Sequence, residues 1–281
     1  MTQTKKKVSV SDLGAMKGKE KVAALTAYDY STSLICDRAG VDVILVGDSA
    51  GMVVLGHPST VPVGMPEMLM FCGAVSRGAK RAMIVGDMPF GSYQPSTSMA
   101  IENAIQFIKA GCDAVKLEGG AEIADKVKAL VDAGVPVMGH IGLKPQTAAL
   151  WEGYRLQGKT AYSAVRLVKD AKALEKAGAF SIVLEMVASE AADIITKRVS
   201  VPTIGIGSGP GCDGQVLVLH DLIGIYEDIK PRFVKMYAEL AKPILDAVAG
   251  YAKDVRAGRF PEEQNTFHMN PEELQKMRRK K

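Results

Sequence analysis

Short apolar runs alternate with segments whose apolar residues recur three and four positions apart, and the alternation persists along most of the chain. Runs that are apolar almost throughout read as parallel strands buried on both faces; the three-and-four spacing reads as amphipathic helix. Strands are predicted over 22–26, 41–47, 81–86, 114–117, 135–138, 181–184, 201–205 and 215–219. Helices are predicted over 31–39, 65–79, 96–110, 121–133, 161–177 and 189–198. Ile101, Ala104, Ile105 and Ile108 share one helical face, as do Ile123, Val127, Leu130 and Val131. Several helices close on Ala-Gly, at Ala39-Gly40, Ala110-Gly111, Ala133-Gly134 and Ala177-Gly178. Glycine there suits a left-handed cap before the next strand. Strict alternation over this length favours a closed (β/α)8 barrel over an open α/β sheet.

The 281 residues would hold two average domains or one such barrel. No Pro- or Ser-rich linker divides them, so a single domain is expected over 1–281. The barrel should end near Gly250, with 251–281 a helical C-terminal appendage suited to oligomer contacts. A hydrophobic content of 47% with 23% charged residues excludes a disordered chain. A net charge of +4 is too small to point to nucleic acid. The visible basic cluster, Lys276, Arg278, Arg279, Lys280 and Lys281, reads as a solvated helix end. The long uncharged run 49–66 contains Gly51, Gly56, Pro58, Pro62 and Gly64, which no membrane helix would carry together. The polar start Met1-Thr-Gln-Thr-Lys-Lys-Lys leads into no apolar signal segment. Cys36, Cys72, Cys112 and Cys212 are scattered without a CxxC. Reduced thiols in a cytoplasmic protein follow as the expectation.

Barrels carry their chemistry at the C-terminal ends of the strands. Here those ends read Tyr28-Asp29, Gly47-Asp48-Ser49, Gly86-Asp87, Lys116 and Glu118, Gly139-His140, Glu185 and Gly207-Ser208-Gly209. A lone Asp after a strand is ordinarily a helix cap or turn residue, and a lone His ordinarily a satisfied core residue. Seven polar strand ends together point to an active site. Asp48, Asp87 and Glu118 offer hard oxygen ligands with no Cys/His cluster, which favours Mg²⁺ over Zn²⁺. Such a metal can chelate a 2-oxo acid and stabilise its enolate. Lys116 could neutralise a substrate carboxylate, and Glu185 could serve as the base. The glycines at 205–211 lack the helix and acidic partner of a dinucleotide site and read as a tight rim loop. His57 lies in the long segment after the second strand, where lids and substrate loops are common.

Nine stretches then carry a resemblance. They are 26–30 (Thr-Ala-Tyr-Asp-Tyr), 45–49 (Leu-Val-Gly-Asp-Ser), 55–57 (Leu-Gly-His), 85–90 (Val-Gly-Asp-Met-Pro-Phe), 115–120 (Val-Lys-Leu-Glu-Gly-Gly), 139–146 (Gly-His-Ile-Gly-Leu-Lys-Pro-Gln), Leu184-Glu185, 204–207 (Ile-Gly-Ile-Gly) and 212–215 (Cys-Asp-Gly-Gln). Their ordered set closely resembles the ketopantoate hydroxymethyltransferase family over roughly residues 8–268, to the terminal Phe267-His268. The resemblance implies a Mg²⁺-dependent (β/α)8 barrel of the phosphoenolpyruvate/pyruvate-type superfamily, typically a cytoplasmic homodecamer. It implies transfer of a hydroxymethyl group from 5,10-methylenetetrahydrofolate, a co-substrate, to 3-methyl-2-oxobutanoate. The product would be 2-dehydropantoate, in the first committed step of pantothenate synthesis.

By the same resemblance, Asp48 and Asp87 hold Mg²⁺ and Glu118 supports it through water. Asp48, Ser49, Asp87 and Lys116 contact the keto acid, and Glu185 removes its C3 proton. His140 is an active-site hydrogen-bonding group. Mn²⁺ and Co²⁺ suit such a site as well as Mg²⁺, and no folate-binding residue is assigned. Pro58, 64–66 (Gly-Met-Pro) and Ser208 depart from the family pattern, away from the metal and the base. The alternatives are a Mg-dependent lyase or mutase of the same superfamily acting on another 2-oxo acid, and a non-catalytic barrel. The first would ordinarily carry a Lys-Cys-Gly-type loop, which is absent; the second would show degraded strand-end carboxylates, which are intact.

Overall fold

A computed structural model describes residues 6–151 and 153–279. The polar start over residues 1–5 and the terminal Lys280 and Lys281 lie outside them. Eight parallel strands, β1 (Val22–Thr26), β2 (Val43–Val46), β3 (Met83–Asp87), β4 (Ala114–Glu118), β5 (Val137–Gly142), β6 (Ser181–Glu185), β7 (Thr203–Ile206) and β8 (Gly214–Leu217), pair in sequence order and close β8 onto β1. Among the described residues the α-helices are α1 (Val10–Met16), α2 (Tyr30–Ala39), α3 (Ala50–Val53), α4 (Met65–Gly78), α5 (Thr97–Lys109), α6 (Ala124–Asp132), α7 (Pro145–Trp151), α8 (Ala161–Lys176), α9 (Ser189–Arg198), α10 (Leu219–Leu222), α11 (Ala241–Arg256) and α12 (Pro271–Arg279). The closed barrel and its helix-strand alternation are those the sequence predicts.

The Ala-Gly helix ends are Schellman caps. Gly40, Gly111, Gly134 and Gly178 sit at φ 88, 102, 86 and 99°, where a Cβ is strained. After each, the next N–H reaches back five residues: Val41 to the Cys36 carbonyl, Cys112 to Phe107, Val135 to Leu130, Ala179 to Leu174. This explains why β2 and β5 begin two residues later than their apolar runs. Val41 and Val135 are buried and apolar, but their N–H groups serve the preceding helix.

The core has two parts. One fills the space between strands and surrounding helices, with Ile44, Ile84, Leu117, Ile182, Phe107 and Leu174. The other fills the barrel itself, with Val43, Leu45, Met83, Val85, Met138 and Val183, closed below by Val8 and by Leu13 of α1. Helix α1 does not appear in the periodicity. A capping box starts it: Ser9 Oγ accepts the Asp12 N–H while Asp12 accepts the Ser9 N–H.

Beyond β8 the pattern changes. Only the single turn α10 follows before a long irregular stretch leads to α11. Helix α11 runs unbroken through Gly250, so the boundary expected there falls inside it. Strands β2 to β4 are buried on both faces, whereas the outward residues Ala23 and Gln215 of β1 and β8 are exposed and Leu25 and Leu217 half-exposed.

Candidate active site

The inward side of the barrel changes character along its axis. Inward positions recur every second residue. On β3 they run from Met83 and Val85 to Asp87, and on β4 from Ala114 to Lys116 and Glu118. On β5 Met138 gives way to His140, and on β6 Val183 to Glu185. The lower barrel is therefore apolar and its C-terminal end ionisable. Asp48 and Ser49 enter from the turn after β2. These side chains form the floor of a cavity of about 410 Å³. The seven residues to which the resemblance gives a role are brought together there.

Lys116 is the hub of the floor. Its Nζ lies 2.7 Å from Asp87 Oδ1, 3.2 Å from His140 Nδ1 and 3.8 Å from Glu118 Oε1. The contact with Asp87 is a close ion pair and not an aligned hydrogen bond. Asp87 Oδ2 accepts the Asp48 N–H at 3.2 Å, fixing one carboxylate against the next strand end. Burial disfavours the Lys116 charge. The carboxylates of Asp87, Glu118 and Asp48 outweigh that and hold it above its ordinary value.

An ammonium only donates, so His140 Nδ1 accepts and the ring proton belongs on Nε2. Burial and the Lys116 charge hold His140 well below its ordinary pKa, so it is neutral. Nε2 faces Glu185 Oε2 at 3.3 Å, close but short of good alignment. Burial lifts Glu185 to about 7, with Lys116 opposing and Asp87 adding. Burial likewise lifts Glu118 to about 8 and Asp48 well above the carboxylate range. The Lys116 charge opposes both shifts, and the neighbouring carboxylates add to them.

Three crowded carboxylates with one ammonium leave buried negative charge uncompensated. That is the electrostatic setting a divalent cation relieves, and the donors are hard oxygens. Among the described residues, no three His, Cys, Asp or Glu side chains form a ready-made metal cage. A hard divalent ion of the magnesium class takes one or two protein carboxylates and completes its shell with water and substrate.

Several supporting residues carry no periodic signal in the sequence. Gln146, fully buried near the start of α7, donates from Nε2 to Asp48 Oδ2 at 3.0 Å and to the Met88 carbonyl at 2.9 Å. Its own N–H donates to Glu118 Oε2 at 3.1 Å, and Tyr93 Oη donates to its Oε1 at 2.8 Å. One glutamine thus spans two of the three carboxylates. Tyr28 Oη lies 2.8 Å from Ser49 Oγ and orients it. Asp29, by contrast, is exposed and caps α2 by accepting the Thr32 N–H at 2.9 Å. His57 does not line the cavity. Ser208 sits under the base: its hydroxyl donates to the Leu184 carbonyl at 2.7 Å and accepts the Val187 N–H at 3.0 Å.

Comparisons with known proteins agree with this geometry. A family model described as ketopantoate hydroxymethyltransferase matches residues 7–263. A protein of Cenarchaeum symbiosum (strain A) named 3-methyl-2-oxobutanoate hydroxymethyltransferase is 60% identical over 255 residues, covering 91% of this chain and 97% of its own. The protein of that name from Nitrosopumilus maritimus is 56% identical over 271 residues, covering 96% and 97%. Among solved structures, phosphoenolpyruvate phosphomutase from Streptomyces platensis subsp. rosaceus superposes with TM-score 0.60 at 15% identity, covering 96% of each chain. A 2,3-dimethylmalate lyase of the PEP mutase/isocitrate lyase superfamily gives 0.53 at 15%, covering 95% of this chain and 93% of that one. At such identities these two share the fold alone. The family match over most of the chain and the high identity of its relatives settle the assignment: the chain belongs to the ketopantoate hydroxymethyltransferase family and is a transferase built on this barrel.

Proposed function

We propose that the chain transfers a hydroxymethyl group from 5,10-methylenetetrahydrofolate to 3-methyl-2-oxobutanoate, giving 2-dehydropantoate and tetrahydrofolate, with Glu185 as the base at C3. The observation that carries this reading is Glu185 itself. It is a carboxylate lifted to about 7, facing the cavity and backed by a neutral His140 beside an acidic, lysine-bearing floor.

Asp48 and Asp87 would hold Mg²⁺, with Glu118 supporting them. The chemistry such an ion supplies is Lewis-acid polarisation of a 2-oxo acid, which lowers the pKa of the C3 hydrogen. The protein's own groups do the rest. Lys116 faces the keto-acid carboxylate, and Ser49, set by Tyr28, donates to the substrate. Gln146 keeps Asp48 and Glu118 in register. Glu185 takes the C3 proton, and His140 Nε2–H steadies that carboxylate. Water supplies the hydroxyl oxygen. Hydrolysis breaks both carbon–nitrogen bonds of the methylene bridge and releases tetrahydrofolate and the one-carbon unit as formaldehyde. The carbon nucleophile attacks its carbonyl carbon, and the carbonyl oxygen takes a proton to become the hydroxyl of 2-dehydropantoate. A group with a pKa near 7 suits a base that must be ionised when it acts and protonated afterwards.

The enzyme works as a cytoplasmic homodecamer. The free, buried cysteines suit a reducing compartment. NMR of the protein with Mg²⁺, 3-methyl-2-oxobutanoate and 5,10-methylenetetrahydrofolate tests the reaction. Signals of 2-dehydropantoate that vanish with EDTA are expected. No product from folded protein in excess Mg²⁺ would refute it.

A further inference from the structure

The cavity holds a fifth carboxylate that the proposed chemistry does not use. Asp221, on the short helix α10, lines the same cavity as Glu185. Each of the four floor carboxylates approaches a lysine, a histidine or a glutamine. Asp221 is half-buried, yet among the described residues its side chain has neither hydrogen bond nor ion pair. Desolvation alone raises it to about 6, with nothing bound to offset the shift. A local structural role does not account for it. Helix α10 is four residues long, and no backbone N–H bonds the Asp221 side chain.

Its surroundings suggest what would bond it. Val218, Tyr226, Ile229, Pro231 and Phe233 line the cavity with it, and Arg232 lies among them. The first five give flat apolar and aromatic surface next to a lone acceptor pair, which suits a planar heterocycle with one donor edge. A five-carbon keto acid seated at the ionisable floor leaves this wall free. A reduced pterin has the matching edge. Its ring N3–H and 2-amino group point the same way, spaced for the two oxygens of one carboxylate, as in other bidentate pairs.

We propose that Asp221 is the carboxylate that binds the 2-amino-4-oxopyrimidine edge of the folate, with the wall from Val218 to Phe233 as the face on which the pterin lies. This rests on the co-substrate proposed above. It places the pterin on the β8 side of the cavity, from which the one-carbon unit is released toward the carbon that Glu185 deprotonates.

The test is equilibrium binding of tetrahydrofolate by anaerobic calorimetry to the full chain and to its Asp221→Asn and Asp221→Ala variants. Binding of 3-methyl-2-oxobutanoate with Mg²⁺ reports that the floor is intact. Loss of charge-assisted bonds should raise the tetrahydrofolate Kd about 10- to 100-fold while the keto-acid Kd holds. A 2-desamino folate analogue adds a ligand-side arm. The unaltered chain should discriminate against it, and the Asp221 variants should not. An unchanged tetrahydrofolate Kd in both variants, or discrimination that survives them, would overturn this assignment alone. Failure of the unaltered chain to bind tetrahydrofolate, with keto acid still bound, would overturn the co-substrate and the Asp221 assignment together.

Discussion

At the scale of single residues, function rests on where each charge is held. Glu185 is raised to about 7 chiefly because it is buried, not because it is paired. As a base it must be ionised, so C3 hydrogen exchange of the keto acid should rise with pH, tenfold per unit below about 7, and level off above it. Glu185→Gln should still bind the keto acid and lose exchange by about 10²- to 10⁴-fold. Both are read by NMR in D₂O, and retained exchange would move the base elsewhere. The carboxylates proposed to act in catalysis were legible in the sequence because each ends an apolar run, and β geometry then sends alternate residues inward. Gln146 was legible only as the last residue of the 139–146 stretch, with no role attached, and Asp221 not at all. Neither ends a strand, and each matters only through what the fold brings beside it. The caution about lone aspartates was sound for Asp29, which is a helix cap.

At the scale of elements, the barrel is closed by uneven seams. β7 and β8 are in register at only two residue pairs, against five for β5 and β6. Asp213, just before β8, reinforces the weak seam. Its Oδ2 accepts from Lys17 Nζ at 2.7 Å, from the Thr203 N–H at 2.9 Å and from Thr203 Oγ1 at 3.2 Å, tying the end of α1 to β7. Asp213 is buried, so removing it leaves a buried N–H and an ammonium without their acceptor. Asp213→Ala should cost about 3 kcal/mol, seen as a lower urea midpoint at unchanged slope and fixed protein concentration. A midpoint within error of the parent would show that the seam holds without it. Periodicity found the strands and the six helices that cover them. It could not reveal this clasp, whose partners lie far apart in sequence.

At the scale of the whole molecule, the exposed surface is where the single chain is incomplete. Helix α11 has no buried residue. Ile244, Val248, Tyr251 and Val255 lie along one face, with Leu245 beside it, and all are well exposed. A stripe of this size on a free surface marks an interface. The barrel wall has a matching gap, since the outward residues Ala23 of β1 and Gln215 of β8 are exposed whereas β2 to β4 are enclosed on both faces. Both surfaces belong to the same chain, so symmetric copies can satisfy each other. The homo-oligomer proposed above predicts that α11 of one copy packs on this uncovered region of another. The double substitution Leu245→Glu and Val248→Glu places charge in that contact while touching nothing in the cavity. Light scattering behind size exclusion should then give a smaller assembly, with the far-UV spectrum unchanged. An assembly of parental mass would mean that the copies join elsewhere and that the α11 stripe faces solvent.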